Sequence, residues 1–146
     1  MEKTSSALLK LTIATPDKRI LMDTPIEQVT VPAARGELNI LPGHAPLMTT
    51  LETGILKYKV PGKEIQHRFA ISWGYCQIFP GGVNVLAEVA EEPGSVDVAK
   101  ANSEIAALER KLGTEMLTDE EFEETISKID LHRAEIELSK APEARH

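Results

Sequence analysis

Tyr75-Cys76-Gln77-Ile78-Phe79-Pro80-Gly81-Gly82-Val83-Asn84-Val85-Leu86-Ala87-Glu88-Val89-Ala90-Glu91-Glu92-Pro93-Gly94 decides the fold, because one period ends within it. Val83, Val85, Ala87 and Val89 alternate with Asn84, Leu86 and Glu88. This period of two marks a strand with two distinct faces. Pro80-Gly81-Gly82 divides it from the run Tyr75–Phe79. Proline presets φ and glycine supplies positive φ, so a hairpin turn is predicted there. Glu91-Glu92-Pro93-Gly94 is then a breaker, and beyond it the apolar spacing changes.

Upstream the period of two repeats. Leu9, Leu11 and Ile13 alternate with Lys10 and Thr12, and Val29 and Val31 with Gln28 and Thr30. Ile65, His67, Phe69 and Ile71 alternate with Gln66, Arg68 and Ala70. Pro16-Asp17-Lys18-Arg19 separates the first two of these runs, and Pro61-Gly62 divides Gly54–Val60 from Glu64–Ser72. About eight to ten short strands fit before Glu91, which predicts a β-sandwich or flattened barrel.

Downstream, Val98, Ala101, Ile105, Leu108 and Leu112 recur at spacings of three and four. A helix is predicted there, with Ser95 as its cap and Gly113 just past its end. Thr118-Asp119-Glu120-Glu121 reads as a capping box opening a second helix, with acids favoured by the helix dipole. That helix should reach about Lys140 and stop at Pro142. The short connection predicts an antiparallel hairpin. The fold class is therefore α+β: an N-terminal all-β sandwich over residues 1–91 and a C-terminal antiparallel two-helix hairpin over residues 92–146.

The second helix has more apolar surface than one neighbour needs. Phe122, Ile126, Ile129 and Ile136 form one stripe. Leu131, Ala134 and Leu138 lie nearly opposite, by the advance of about 100° per residue. One stripe can pack on the first helix. The other is expected to dock on the sandwich or to meet a partner, and a hairpin able to exchange the two would be a switch.

Bulk properties narrow the function. The 146 residues are 42% hydrophobic but only 4% aromatic, so the core is aliphatic. A net charge of −7 argues against non-specific binding to nucleic acid or anionic lipid, both of which need excess lysine and arginine. No apolar run approaches the roughly 20 residues of a membrane span, so no direct membrane insertion is expected. Met1–Lys10 lacks the apolar stretch of a signal peptide. The chain reads as soluble.

Little chemistry is legible. His44, His67, His132 and His146 stand at no metal-ligand spacing from one another or from Cys76, and no phosphate-binding loop occurs. Ser72-Trp73-Gly74-Tyr75 lies between strands, not at the strand-to-helix turn of a nucleophile elbow. The pairs Glu91/Glu92 and Glu120/Glu121 read as solvated charge. Cys76, the single cysteine, reads as a small core residue. No catalytic residue and no metal or cofactor site is predicted.

The run Gly36-Glu37-Leu38-Asn39-Ile40-Leu41-Pro42-Gly43-His44-Ala45-Pro46-Leu47-Met48-Thr49-Thr50-Leu51 is shaped by a turn after Leu41 and a second change of direction at Pro46. It reads as a loop that presents a shape. His44 either hydrogen-bonds its own loop or contacts a neighbouring subunit. The run resembles the Gly-Glu-Leu-Gly-Ile-(Leu/Tyr)-Pro-Gly-His-Ala-Pro-Leu signature of the F-type ATP synthase epsilon subunit. Ser72–Ala90 is similar to a second family segment, Ser-Gly-Gly followed by a strand, a Pro-Gly turn and Val-x-Val-Leu-Ala-(Asp/Glu). Two departures stand out: Asn39 replaces a glycine, accommodated by asparagine's tolerance of left-handed backbone, and Trp73 replaces the first Gly of Ser-Gly-Gly.

The resemblance implies a noncatalytic central-stalk subunit that binds the gamma subunit and stands on the c-subunit ring. It would be peripheral, on the cytoplasmic face of a bacterial inner membrane. Glu37 corresponds to the position facing the ring, and His44, Pro46 and Leu47 to the loop near gamma. Leu131, Ala134 and Leu138 are the interface candidates on the hairpin, through which the alpha and beta subunits are met transiently. Extension of the hairpin would suppress ATP hydrolysis. Between Thr118 and Ala141, however, eight acids face three bases (Lys128, Arg133 and Lys140), so weak or conditional inhibition is expected.

Some family members bind ATP at the folded hairpin. Here Val96-Asp97-Val98-Ala99-Lys100-Ala101 has Lys100 where the resembling pattern has arginine, and Ile129-Asp130-Leu131-His132-Arg133-Ala134 leads to Lys140. Lysine cannot form arginine's bidentate fork on phosphate, so these residues read as surface charge and ATP binding is disfavoured. The rival function is a stand-alone small-ligand-binding sandwich. It is disfavoured because only Trp73, Tyr58 and Tyr75 could serve as stacking platforms.

Overall fold

The computed structural model describes residues 8–140; the readings of the extreme N-terminus, of Pro142 as a helix stop and of His146 fall outside these residues. Ten strands come first: β1 (Leu9–Ala14), β2 (Arg19–Ile26), β3 (Gln28–Ala33), β4 (Gly36–Ile40), β5 (Leu47–Leu51), β6 (Gly54–Lys59), β7 (Gln66–Ile71), β8 (Gly74–Phe79), β9 (Gly82–Ala87) and β10 (Ala90–Glu91). After a 3-10 turn at Pro93–Ser95 come α1 (Val98–Thr114) and α2 (Asp119–Lys140).

The strands join in the order β10-β7-β6-β3-β5-β8-β9-β1-β2, with β4 on β3. Most pairings are antiparallel; β1 runs parallel to β9, with Leu11 opposite Val83. The sheet folds over one aliphatic core. Leu11, Ile13, Val29, Val31, Leu56, Ile71, Val83 and Val85 are all fully buried in it. They are the apolar members of the alternating runs, so a period of two placed one side of each strand inward.

Three strands were hidden from that period. β2 fills the space between the runs at Leu9 and Val29. Its alternation is broken by a register shift against β1 between Leu11 and Ile13 and by Asp23, whose φ is 47°. It lies at a sheet edge, where Pro25 costs no ladder hydrogen bond. The segment Gly36–Leu51 is a loop only at its centre. Its first five residues are β4 and its last five β5, and both strands pair with β3. The turn after Leu41 forms as expected, with Gly43 at φ 89°. Asn39 is extended rather than left-handed, facing Thr30 across the β3–β4 ladder, so any residue fits its backbone there.

The helix ends differ in part from expectation. Asp97, not Ser95, caps α1: its carboxylate accepts from the Lys100 amide at 3.1 Å. The Ser95 hydroxyl instead donates to Glu91 and to the Glu92 carbonyl. Gly113 lies inside the last turn of α1, and the chain leaves the helix through the extended Glu115. The capping box forms fully. The Glu121 amide donates to Thr118 Oγ1 at 3.1 Å and the Thr118 amide to Glu121 Oε1 at 3.0 Å.

The hairpin docks on the sandwich. Ala134 and Leu138 are buried against Ala70 of β7, with Ile55 and Val96 at the margin. Thr125 and Ile129 are also buried on α2, while Phe122 is 49% exposed. Arg133 donates to Glu109 of α1 at 2.8 Å, and His132 lies between Glu135 on its own helix and Glu104 on α1.

Candidate functional site

Strand β8 turns Cys76 and Ile78 into the core and Tyr75, Gln77 and Phe79 outward. Tyr75 is 50% exposed and sits opposite Leu86 of β9, which is 54% exposed. On the other flank of β8, Thr50 of β5 faces Tyr75 and Met48 faces Gln77. Met48 and Leu47 are exposed, as is Leu41 before the turn. A shallow groove of about 320 Å³ runs beside this row, lined by Pro16, Trp73, Tyr75 and Leu86. The outer face of β5, β8 and β9 thus sets exposed Met48, Tyr75, Phe79 and Leu86 among the polar Thr50, Gln77 and Asn84, more apolar surface than a solvated face needs.

The loop between β4 and β5 carries two of the expected contact residues, His44 and Pro46, and the third, Leu47, opens β5. The His44 amide donates to the Leu41 carbonyl at 3.1 Å, and its Nδ1 lies 2.7 Å from the Ala45 carbonyl. His44 therefore holds its own loop, leaving Pro46 and Leu47 exposed beside it. Glu37 is on β4, not on the loop, and its carboxylate pairs with Lys57 of β6 at 3.4 Å. Leu131, Ala134 and Leu138 lie elsewhere, on α2. There Ala134 and Leu138 are covered by the sandwich and Leu131 is half-buried.

Sequence reasoning missed Leu86 and took Tyr75 only as a stacking platform. The signal was present, since both occupy the polar phase of an alternating run. Tyr58, weighed beside Tyr75 as a platform, is instead a core residue stacked on His67 and Phe69. Trp73 is 52% exposed, which is why a bulky side chain fits where the resembling segment has glycine.

Cys76 is fully buried. Burial disfavours its thiolate and pushes the thiol from its ordinary 9.0 up to about 12. The folded chain thus keeps a proton that the unfolded chain releases. The stability owed to this thiol is complete below pH 9.0 and falls as pH rises from there toward 12. At pH 8 a thiol reagent should label the native chain at least about 100-fold more slowly than the denatured chain. Equal rates would show the thiol to be accessible. Among the described residues, no three His, Cys, Asp or Glu side chains group so as to hold a metal ion.

A family model described as the beta-sandwich domain of the ATP synthase delta/epsilon chain matches residues 8–93. An ATP synthase epsilon chain of Bdellovibrio bacteriovorus is 50% identical over 137 residues, covering 94% of this chain and 98% of that one. The chain belongs to the ATP synthase epsilon chain family. The epsilon chain of Geotalea uraniireducens is 35% identical over 136 residues, covering 93% of this chain and 95% of its own. The fold of these epsilon relatives extends further. A chain in the mitochondrial ATP synthase of Euglena gracilis (the OSCP/F1/c-ring part) superposes with a TM-score of 0.78 at 20% identity, over 97% of this chain and 86% of that one. A chain in the central stalk and c-ring of the Tetrahymena thermophila enzyme gives 0.62 at 15% identity, over 93% and 99%. Epsilon membership makes this a noncatalytic subunit of ATP synthase. Among the described residues no helix is long and apolar enough to cross a membrane.

Proposed function

We propose that the chain couples the gamma subunit to the c-subunit ring of an F-type proton-translocating ATP synthase. The carrying observation is the exposed apolar cluster of Met48, Tyr75, Phe79 and Leu86 on β5, β8 and β9, joined through Leu47 at the start of β5 to the loop at His44 and Pro46. Such a face is costly in water and suits a protein partner. Gamma is its occupant in this reading. Glu37 is directed to the polar loops of the ring. Its exposed pairing with Lys57 is worth at most about 1 kcal/mol, so it can be exchanged for a contact in the complex. The subunit is held at the cytoplasmic face of the inner membrane through these proteins, in keeping with a net charge of −7.

Residues 1–91 are the coupling unit in this proposal and residues 92–146 the regulatory one. Release of the hairpin would free Leu131, Ala134 and Leu138 for the alpha and beta subunits. The acids of α2 oppose a strong hold on acidic partners, so inhibition is weak or conditional. Deleting residues 114–146 should raise ATP hydrolysis by the assembled enzyme less than about twofold, a difference well under 1 kcal/mol in barrier height. A rise of tenfold or more would contradict weak inhibition. The coupling role is tested by pull-down from native membranes with an N-terminal tag. Recovery of gamma with alpha and beta is expected, and recovery of the chain alone from intact synthase would overturn it.

A further inference from the structure

The geometry points to Arg68 as the positioning residue that clasps the hairpin to the sandwich. Its Nη2 donates to the Leu138 carbonyl at 3.0 Å, joining β7 to the last turn of α2. Carbonyls in that turn have no amide partner within the helix and carry the negative end of its dipole, so a guanidinium there meets both demands. The bond lies against the small second core, in which Leu138 and Ala70 are fully buried and Ala134 nearly so. One alanine and one leucine of α2, set against Ala70 with Ile55 and Val96 at the margin, bury little apolar surface for a helix of 22 residues. Packing alone is a modest restraint, and a charge-assisted hydrogen bond beside it is a large addition.

Among the described residues the other end of α2 has no such anchor. A cleft of about 600 Å³ separates it from the sandwich, lined by Trp73 and Glu88 below and by Glu120, Glu123, Glu124 and Lys128 above. Glu88 faces Glu120, Glu123 and Glu124 across this gap, and Lys128 is the one cation among its lining residues, so charge does little to close it. Docking is therefore one-ended, set where Arg68 meets Leu138. A clasp at the helix C-terminus leaves the N-terminal half and the turn to α1 free to lift first.

This inference rests on the reading of the hairpin as a unit that leaves the sandwich. Hydrogen exchange on the isolated full-length chain tests it. Arg68→Gln should speed exchange of the α2 amides from Ala134 to Lys140 by about tenfold or more, with β8 and β9 amides unchanged. Arg68→Lys, which keeps a cationic donor, should recover part of the protection. Leu138→Ala should speed the same amides. Unchanged α2 exchange in Arg68→Gln, or an equal rise throughout the sandwich, would overturn the clasp. ATP hydrolysis by synthase carrying Arg68→Gln separates the two readings. Faster α2 exchange with unaltered hydrolysis supports the clasp while removing the regulatory role.

Discussion

Gly74→Ala is expected to destabilise the chain by at least about 3 kcal/mol, more than ordinary overpacking. Gly74 opens β8 between two partners, opposite Ala87 of β9 and Leu51 of β5. A Cβ at this position would run into the Leu86 carbonyl oxygen and lie 2.8 Å from the Ala87 Cα. Both obstacles are backbone, so no rotamer change relieves them. The ladder would have to part where it is also pinned by the Glu88 amide on the Trp73 carbonyl and by the Val89 amide on Ser72 Oγ. A loss of this size is a large fraction of the roughly 5–15 kcal/mol that holds a domain together. Urea unfolding followed by circular dichroism measures it. Gly113→Ala is the control: its added Cβ meets nothing within 4 Å. It sits in a helix, where alanine is favoured by up to about 1 kcal/mol. A Gly74→Ala midpoint equal to that of the native chain would refute the steric argument.

The same position shows what was legible before the structure. Ser72-Trp73-Gly74 could be matched to a Ser-Gly-Gly segment, but the need for its second glycine could not be read from one strand. It depends on the approach of β9, set by a ladder between strands. The turns, the main core positions and the capping box were legible because each is local: a proline, a glycine, a period of two or a Thr-to-Glu spacing. The strand β2 was not, because a register shift and the left-handed Asp23 scramble its alternation. Ser95 and Asp97 are both capping residue types two positions apart. The 3-10 turn that occupies Ser95 decided between them. At the candidate site, the loop at His44 stood out as a motif. The apolar face did not, because Tyr75, Leu86 and Met48 come together only when β5, β8 and β9 lie side by side. Docking of Leu138 under Arg68 is likewise a contact between residues 70 positions apart.

That face supplies the other large effect. The double variant Tyr75→Ser, Leu86→Asp should weaken association with gamma at least about 100-fold while leaving the fold intact. The two side chains sit opposite each other in an antiparallel pair and are each about half exposed, so neither is needed inside the core. Surface changes of this kind alter stability by about 0.5 kcal/mol or less. In a complex the pair would be covered. An aromatic anchor at the centre of an interface commonly accounts for about 2 kcal/mol or more, and a carboxylate left there without a partner adds a desolvation cost. Two such losses exceed the roughly 2.7 kcal/mol that corresponds to 100-fold in affinity. Titration of purified gamma onto native and variant chains gives the ratio, and the urea midpoint of the variant verifies its fold. Undiminished binding by a folded variant would move gamma off this face, leaving the His44 loop to account for the contact alone. Weakened binding with the loop intact would assign the anchor to β8 and β9, whose phase in the sequence already turned Tyr75 and Leu86 away from the core.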